Sequence, residues 1–188
     1  MALDRNAAAG AIDAFLRAIG RDPAVEPELV GTGARVADAY IDELCAGYAV
    51  DTRALLAAGV LRHEGPAGLV VVRDVPVATT CPHHLLVATG TATIAMHARE
   101  SIVGLGVLAA LVDAHARRLT LQERIGESVV DDLERALAPE WVACRIVLVH
   151  GCMVARGERA LGSRVETVAV RGPSASLSMI HAAVGVGS

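Results

Sequence analysis

The sequence predicts an α+β fold in which two helices pack on one face of an antiparallel sheet. Apolar residues recur at helical spacing before residue 60 and again between Ile102 and Leu137. β-branched runs with a shorter period lie between and after these helical segments, at residues 69–75, 85–96, 141–150 and 163–170. Helices followed by two strands, two helices and two more strands are typical of an α+β plan.

Residues 1–60 are predicted to form an N-terminal helical segment. An alanine-rich stretch at residues 8–19 favours a first helix, and Thr32 is a suitable N-cap for a second. Asp51 is expected to cap a third helix that reaches Ala58.

The sheet-containing domain is predicted over residues 61–172. A turn at residues 65–68 precedes the first strand. A helix is expected from Ile102 to Leu119, and Thr120 fits the N-cap of a second helix that ends before Pro139. Residues 173–188 form a Ser- and Ala-rich tail that we expect to be poorly ordered, so the protein is a single domain with extensions at both ends.

Composition narrows the class of protein. Hydrophobic residues make up 53% of the 188 residues and aromatic residues only 2%, so an aliphatic core that is completed by neighbouring subunits is expected. The net charge of −4 supplies no basic stripe for a nucleic-acid backbone. No apolar run reaches the roughly 18 residues of a membrane helix, and the N-terminus lacks the pattern of a signal peptide. We therefore expect a soluble cytoplasmic protein that binds neither nucleic acid nor membranes.

Cys81, His84 and Cys152 have the pattern of a metal site. The first two are three residues apart, so a turn or strand end can direct both to one ion, and Cys152 can complete the set. Three protein ligands with a fourth position left for water are typical of a catalytic zinc site. Zinc lowers the pKa of bound water to about 7, which predicts a metallohydrolase. The remaining cysteines, Cys45 and Cys144, lie in helix and strand patterns and are interpreted as small core residues.

Two histidines lie beside these candidate ligands. Adjacent strand residues point to opposite faces, so His83 can share a pocket with His84 only on a turn, which Pro82 favours. His150 and Cys152 are two residues apart and would point to the same side of an extended strand. We interpret His83 and His150 as catalytic; the alternatives are a solvent-facing His83 and a core His150.

Five short motifs, in this order, resemble the GTP cyclohydrolase I family over about residues 32–172. Each motif alone is weak, whereas their combined order and spacing are specific. The motifs are Thr32-Gly33-Ala34-Arg35-Val36-Ala37 with Tyr40-Ile41-Asp42-Glu43, Cys81-Pro82-His83-His84, Ile102-Val103-Gly104-Leu105, Arg117-Arg118-Leu119-Thr120-Leu121-Gln122-Glu123-Arg124, and His150-Gly151-Cys152-Met153-Val154-Ala155-Arg156-Gly157. On these residues the chain is identified as a member of that family.

The resemblance implies a fold, an assembly and a reaction. Family members adopt the tunnelling fold (T-fold), in which antiparallel sheets with two helices on one face assemble into an oligomeric barrel. They are toroidal homodecamers with active sites at subunit interfaces, which implies a homo-oligomer here. Their reaction opens the imidazole ring of GTP at C8, expels formate and recloses the product as dihydroneopterin triphosphate, in pterin biosynthesis.

The resemblance also implies a zinc cofactor and its surroundings. The residues that match the family's zinc ligands are Cys81, His84 and Cys152. His83 matches the residue that transfers a proton at the purine N7, and His150 matches the one that acts in later proton transfers. An imidazole with a pKa near neutrality suits both tasks.

The substrate contacts are implied in the same way. Gln122 and Glu123 match residues that hold the guanine edge, and Arg35 and Arg156 match residues that help to hold phosphates. A carboxylate can accept both the N1–H and N2–H2 donors of guanine. From the residues alone, Glu123 could instead close a capping box with Thr120.

Two motifs depart from the family pattern. Pro82 stands where the family usually has Glu, which removes a carboxylate beside the metal. After Leu105 the family usually has Ser-Lys, with Arg three residues after the Lys, whereas this chain has Gly106, Val107 and Ala110. A charge-assisted hydrogen bond contributes about 1.5–3 kcal/mol, so losing two should weaken triphosphate binding about a hundredfold or more.

These departures leave two substrates open. In one interpretation the substrate is GTP and other basic residues hold its phosphates. The available residues are Arg73, Arg99, Arg159 and Arg164. In the other, the ring-opening residues act on a purine-like heterocycle without a triphosphate, such as a nucleoside, a free base or an oxidised purine.

Two further classes are considered. The chain could be a non-catalytic metal-binding homologue, but the presence of His83 and His150 argues against this class. It could also resemble the T-fold reductases, which act on a nitrile through a cysteine thioimide and NADPH, but the Cys-x-x-His pair with a further Cys disfavours that chemistry. The other histidines match no motif: His63, His97, His115 and His181.

Overall fold

The computed structural model describes residues 3–62, 65, 68–157, 159–172 and 176–185. The chain divides into two compact units, Met1–Ala46 and Gly47–Ser188. Two residues of the predicted turn, Pro66 and Ala67, lie outside the described residues, as does His63.

The first unit is helical, as predicted. It contains α1 (Arg5–Ala18), a 3-10 turn (Pro27–Leu29), α2 (Thr32–Asp38) and a π-helical turn (Ala39–Leu44). The N-cap of α2 is Gly31, with a φ of 74°, and Thr32 is instead the first helical residue. Gly33 allows α1 and α2 to approach closely, because an added Cβ would lie 2.5 Å from the backbone oxygen of Ala9.

The second unit contains the sheet. Its elements are α3 (Thr52–Gly59), β1 (Val60–Arg62), β2 (Leu69–Thr80), β3 (Val87–His97), β4 (Ser101–Val103), α4 (Leu105–Ala116), α5 (Gln122–Leu137), β5 (Trp141–His150), α6 (Gly151–Val154), β6 (Val165–Arg171) and α7 (Leu177–Val184). Strands β2, β3, β5 and β6 form an antiparallel sheet in that order, and β1 pairs with β4. The predicted α+β plan with an antiparallel sheet is confirmed.

The strand register places two distant chain segments at one end of the sheet. In the β2–β3 pair, Thr80 lies opposite Val87. In the β3–β5 pair, Ala88 lies opposite His150. The turn that follows β2 and the segment that follows β5 are therefore neighbours, although they are far apart in sequence.

Helices α4 and α5 cover one face of the sheet and α7 covers part of the other. Because strand side chains alternate, Ile94 and Met96 join Leu111 in the main core, whereas Ala95 faces Ile180 of α7. All five are at most 1% exposed, and full burial of a large aliphatic side chain contributes about 1.5–3 kcal/mol. None of the described helices combines the length and apolarity needed to span a bilayer.

Two further expectations, for Ile102 and for the carboxyl-terminal tail, differ from the described structure. Ile102 was predicted to begin a helix but lies in β4, where it pairs with Leu61, so backbone pairing outweighs the local helical pattern. The tail was expected to be poorly ordered, yet Ile180 and Val184 of α7 are fully buried against the sheet. Residues 173–175 and 186–188 of that tail lie outside the described part of the chain.

Candidate metal centre and active site

A tight turn follows β2 and carries the Cys-Pro-His-His motif. The Leu85 N–H donates to the Cys81 carbonyl, and the Cys81 N–H donates to the Leu86 carbonyl, both at 2.9 Å. Leu85 has a φ of 53°, a left-handed conformation that lets the chain reverse here. The rings of His83 and His84 are 6.2 Å apart and nearly perpendicular. The turn thus lets adjacent residues line the same cavity, as predicted for this motif.

The second segment changes from strand to helix. β5 ends at His150, and Cys152 lies in the single helical turn of α6. The expectation that His150 and Cys152 share one side of an extended strand is therefore wrong, although both line the same cavity. Gly151 permits the close approach to β3, because an added Cβ would lie 2.7 Å from the Val87 carbonyl oxygen.

The side chains of Cys81, His84 and Cys152 converge. One ligand atom from each lies within 4.8 Å of the other two, and the Cys81 Sγ is 3.6 Å from the His84 Nδ1. Sulfur and nitrogen ligands of a tetrahedral zinc ion are about 3.6 Å apart, given Zn–S and Zn–N distances of about 2.3 and 2.0–2.1 Å. The donor set and its spacing fit a zinc ion.

The electrostatics of the two thiols agree with that fit. Burial raises the pKa of Cys152, and the neighbouring Cys81 raises it further, whereas Arg156 opposes the shift. The Cys152 thiol therefore resists ionisation more than an ordinary cysteine. A divalent ion would stabilise both thiolates at once.

A cavity of about 240 Å³ opens beside these three side chains. Its described lining includes both candidate catalytic histidines, His83 and His150, together with Gln122 and Glu123. The amino end of α5 reaches the cavity because the Thr120 N–H donates to the Thr80 carbonyl at the end of β2. A shallower hollow of about 340 Å³ between α5 and β6 shares Glu123, but its described lining has no histidine or cysteine.

Gln122 is 3% exposed and uses its carboxamide within the chain. Its Nε2 donates to the carbonyl oxygens of Ile146 and Val165, both at 3.0 Å, and lies 3.2 Å from the Thr167 hydroxyl oxygen. Its Oε1 is 2.7 Å from the Nε2 of His150. The side chain therefore links α5 to β5 and β6 beneath the cavity.

Glu123 has a different environment from its neighbour. It is exposed, and the predicted capping box with Thr120 does not form, because the N-cap of α5 is Leu121 and has no side-chain capping bond. The Glu123 carboxylate is close enough to raise the pKa of His150, but burial has the larger effect and lowers it. The net effect is a pKa of His150 below the ordinary histidine value.

The two predicted phosphate ligands are not among the described residues that line the cavity. Arg156 is exposed and follows α6. Arg35 belongs to the first unit, where its guanidinium donates to the Val30 carbonyl at 2.9 Å and to the Thr32 hydroxyl at 3.0 Å. Their roles stay predictions.

Comparison with known proteins decides the family. The sequence profile of the GTP cyclohydrolase I family matches residues 8–183. The GTP cyclohydrolase 1 of Leifsonia xyli subsp. xyli is 35% identical over 189 residues, which cover 98% of this chain and 97% of that protein. The enzyme of the same name from Geobacillus kaustophilus is 40% identical over 163 residues, or 86% of this chain and 85% of the relative. The chain belongs to the GTP cyclohydrolase I family.

Family membership accounts for the architecture. The mixed helical and antiparallel structure is the tunnelling fold predicted from the sequence. A crystal structure of an apo archaeosine synthase QueF-like protein superposes with a TM-score of 0.48 at 19% identity, covering 58% of this chain and 98% of that one.

The departures at the predicted Lys and Arg positions lie on α4. Val107 is partly buried and packs against the main core. An added Cβ on Gly59 would lie 2.6 Å from a Val107 methyl group and 3.3 Å from one of Val103, so these residues are in close contact. Ala110 is also partly buried. At these two positions the family's usual Lys and Arg are replaced by packed aliphatic side chains.

Thr79 is a further residue of the cavity wall that no sequence motif singled out. Thr79 is 2% exposed, its hydroxyl has no hydrogen-bond partner among the described residues, and it lines the cavity. The signal was available in the alternation of β2, because Thr79 and Cys81 are two residues apart. A buried hydroxyl without a partner at a cavity wall is a candidate ligand contact.

Proposed function

We propose that this protein is a zinc-dependent cyclohydrolase that opens the imidazole ring of a guanine-type purine at C8. The observation that carries the proposal is the grouping of a Cys-His-Cys ligand set, two histidines and an exposed carboxylate around one cavity. Membership of the GTP cyclohydrolase I family supports the same reaction class.

In this proposal Cys81, His84 and Cys152 hold the zinc ion, which supplies a nucleophile for hydrolysis at neutral pH. His83 donates a proton to N7 of the purine, and His150 transfers protons in later steps. One water adds to C8 and one C8–N bond breaks, which leaves a formamide on the other nitrogen. A second water hydrolyses this formamide, so C8 leaves as formate and both former ring nitrogens become amines. Recyclisation of the remaining pyrimidine with its ribose carbons gives a pterin.

Glu123 is the proposed ligand of the base edge. Its carboxylate is exposed at the cavity and has no described hydrogen-bond partner, so it is available to accept from N1–H and N2–H2. Gln122 contributes to the same subsite by fixing its floor. Arg156 and Arg35 are the proposed phosphate contacts if the substrate carries phosphates.

The substrate is proposed to be GTP or, as the second candidate, a related purine without a triphosphate. The second candidate is favoured by one observation: the described lining of the cavity contains no Lys or Arg, while Val107 and Ala110 occupy the positions of the family's phosphate-binding residues. A triphosphate carries several negative charges, and its binding needs charged donors.

The active unit is proposed to be a homo-oligomer, with the family's decamer as the expected form. Sedimentation analysis of the zinc-loaded protein measures the assembly, and a monomer with full activity would contradict this part of the proposal.

The test of the reaction uses zinc-loaded protein with GTP, guanosine, guanine and 8-oxoguanine in parallel. Formate release and a fluorescent pterin after oxidation are expected with GTP if the first candidate is correct. Formate from guanosine, or loss of purine absorbance with a free base, supports the second. No product from any of the four, by a protein with one zinc per subunit, would leave only the non-catalytic homologue.

A further inference from the structure

The Gln122 carboxamide can adopt only one orientation. One end of it lies 3.0 Å from the carbonyl oxygens of both Ile146 and Val165. A carbonyl oxygen accepts hydrogen bonds and never donates them, so the NH2 group must occupy this end. The flipped amide would place its oxygen against two carbonyl oxygens inside a site that is 3% exposed. The amide oxygen therefore faces His150.

This orientation fixes the proton on the His150 ring. The Gln122 Oε1 lies 2.7 Å from the His150 Nε2. Because an amide oxygen can only accept, the hydrogen of this bond must belong to the imidazole Nε2. The same hydrogen is present in both the neutral and the protonated ring. A proton can be gained or lost only at Nδ1 while the bond to Gln122 persists.

We infer that Gln122 is a positioning residue that holds His150 in the tautomer protonated at Nε2, which makes Nδ1 the ring atom that exchanges protons with the substrate. The inference deepens the proposed function, since it rests on His150 as a proton-transfer group.

The rival role for Gln122 is direct contact with the base. To donate to the base, the NH2 group would have to release the carbonyls of Ile146 and Val165, its principal partners. A buried carbonyl without a partner costs about 1–3 kcal/mol. A positioning role requires no such rearrangement, and neighbours of this kind commonly orient functional histidines.

The direct test measures the tautomer in the wild-type protein. Solid-state ¹⁵N spectra of histidine-labelled protein distinguish a ring protonated at Nε2 from one protonated at Nδ1, and His150→Gln identifies which of the seven histidine signals belongs to His150. We expect the neutral ring to carry its hydrogen at Nε2. A neutral ring protonated at Nδ1 would overturn the inference whether or not the protein turns over any purine.

Two variants test the origin of that tautomer. Gln122→Met keeps the length but removes both hydrogen-bonding ends, so we expect mixed tautomers, unchanged zinc content and a fall in kcat of about ten- to a hundredfold with little change in KM. Thr167→Val is the matched control, because it removes the 3.2 Å contact but keeps the two carbonyl partners that orient the amide. It should retain the Nε2–H tautomer.

A different pattern would refute the positioning role. If Gln122→Met raises KM and leaves both kcat and the His150 tautomer unchanged, Gln122 contacts the substrate instead. If Gln122→Met fails to fold, the wild-type spectrum and Thr167→Val still decide the question. A protein with the expected tautomer and no activity on any purine would refute the proposed reaction, but not the fixed tautomer.

Discussion

The cavity beside Cys81 and the amino end of α4 both lie in family motifs, but the cavity is lined by polar and ionisable groups, whereas α4 packs an aliphatic side chain against the core. Around the cavity, ligand, acid–base and carboxylate groups are grouped, and Glu123 and the Thr79 hydroxyl have no described protein partner. At α4, Val107 is aliphatic and packs into the core.

This contrast separates two tasks that one substrate would impose together. Under the proposed function, the cavity holds the side chains that would attack and protonate a purine ring, whereas Val107 of α4 packs against the core at a predicted phosphate-binding position. Ring chemistry and phosphate recognition would then depend on different elements of the fold, and one could change while the other is kept. The predictions below test each region, from the largest expected effect to the smallest.

The largest effect is expected for Cys152→Ala. Removing one of three protein ligands should abolish stable zinc binding and all cyclohydrolase activity, while the fold is kept because Cys152 is partly exposed in a short helical turn. Metal analysis measures zinc binding, and far-UV circular dichroism measures whether the fold is kept. Cys45→Ala is the matched control and should retain zinc. Full activity of metal-free Cys152→Ala would show that this cavity is not the site of a zinc-dependent reaction.

His83→Ala should keep zinc but lower turnover by about 10²–10⁴-fold, the usual contribution of a general acid or base. The prediction separates ligands from catalytic groups within the cavity, since His83 lines it but is not in the ligand set. Single-turnover formate release is the measurement, and His181→Ala on α7 serves as the control. Turnover equal to the wild type would reduce His83 to a scaffold residue.

Val107→Lys combined with Ala110→Arg tests whether the amino end of α4 faces the phosphates of the substrate. Adding two charged donors should increase GTP affinity, up to about a hundredfold, because each charge-assisted bond contributes about 1.5–3 kcal/mol. Lys at position 107 also disturbs packing against Gly59, which reduces the gain.

The control for this double variant is Val107→Gln with Ala110→Gln, which adds length without charge. Binding of GTP and of guanosine to all three proteins is measured by calorimetry. An unchanged GTP affinity in the charged variant would show that the amino end of α4 does not face the phosphates.

The carboxyl end of α4 offers the smallest and purely structural test. His115 Nε2 lies 2.8 Å from the Asp132 carboxylate on α5, and both side chains are largely buried. Asp132→Ala should lower the free energy of unfolding by about 2–3 kcal/mol, because it leaves the His115 N–H unpaired. Asp131→Ala breaks only an exposed pair with Arg171 and should change stability by less than about 1 kcal/mol. Equal losses of unfolding free energy in the two variants would show that the buried His115–Asp132 pair stabilises the fold no more than the exposed pair does.

The same pair predicts how stability depends on pH. Burial lowers the pKa of His115 despite the opposing effect of Asp132. The folded protein therefore binds fewer protons than the unfolded chain just below the ordinary histidine pKa of about 6.5, and the free energy of unfolding falls as the pH drops through that range.

Titration of Asp132 lowers the free energy of unfolding further at lower pH. Burial would raise its pKa, but hydrogen bonds from Thr52, His115 and Arg135 outweigh burial and lower it. Its stabilisation is present above the unfolded carboxyl pKa of about 3.9 and is lost below it. Thermal unfolding from pH 7.5 to about pH 2 covers both stages, and a melting temperature independent of pH would contradict them.

Local signals in the sequence predicted much of this structure. β5 was predicted at its observed bounds, and the N-cap of α3 was predicted correctly, because Asp51 accepts from the Arg53 and Ala54 N–H groups as its residue type favours. The turn at Pro82 was also foreseen, since neither adjacent histidine could otherwise share a pocket with the other. These features depend on residues that are close together along the chain.

Two of the incorrect sequence predictions share one cause, which is a hydrogen bond to a residue that is distant along the chain. Thr120 and Glu123 match a capping box, yet the carbonyl of Thr80 takes the Thr120 N–H, and α5 begins later. Ile102 fits a helix but pairs with Leu61 across a strand. In each case a partner distant in sequence supplied a hydrogen bond that outweighed the local preference.

The sequence by itself determined which chemical groups are present: two thiols, three imidazoles, an amide and a carboxylate in motifs specific to one family. Only the tertiary structure decided what each can do. Strand register brings Cys81 and Cys152 together, and the position of Gln122 beside two backbone carbonyls directs its amide oxygen to His150. The reason is physical: residue type fixes a group's donors and acceptors, but long-range packing fixes which of them remain free.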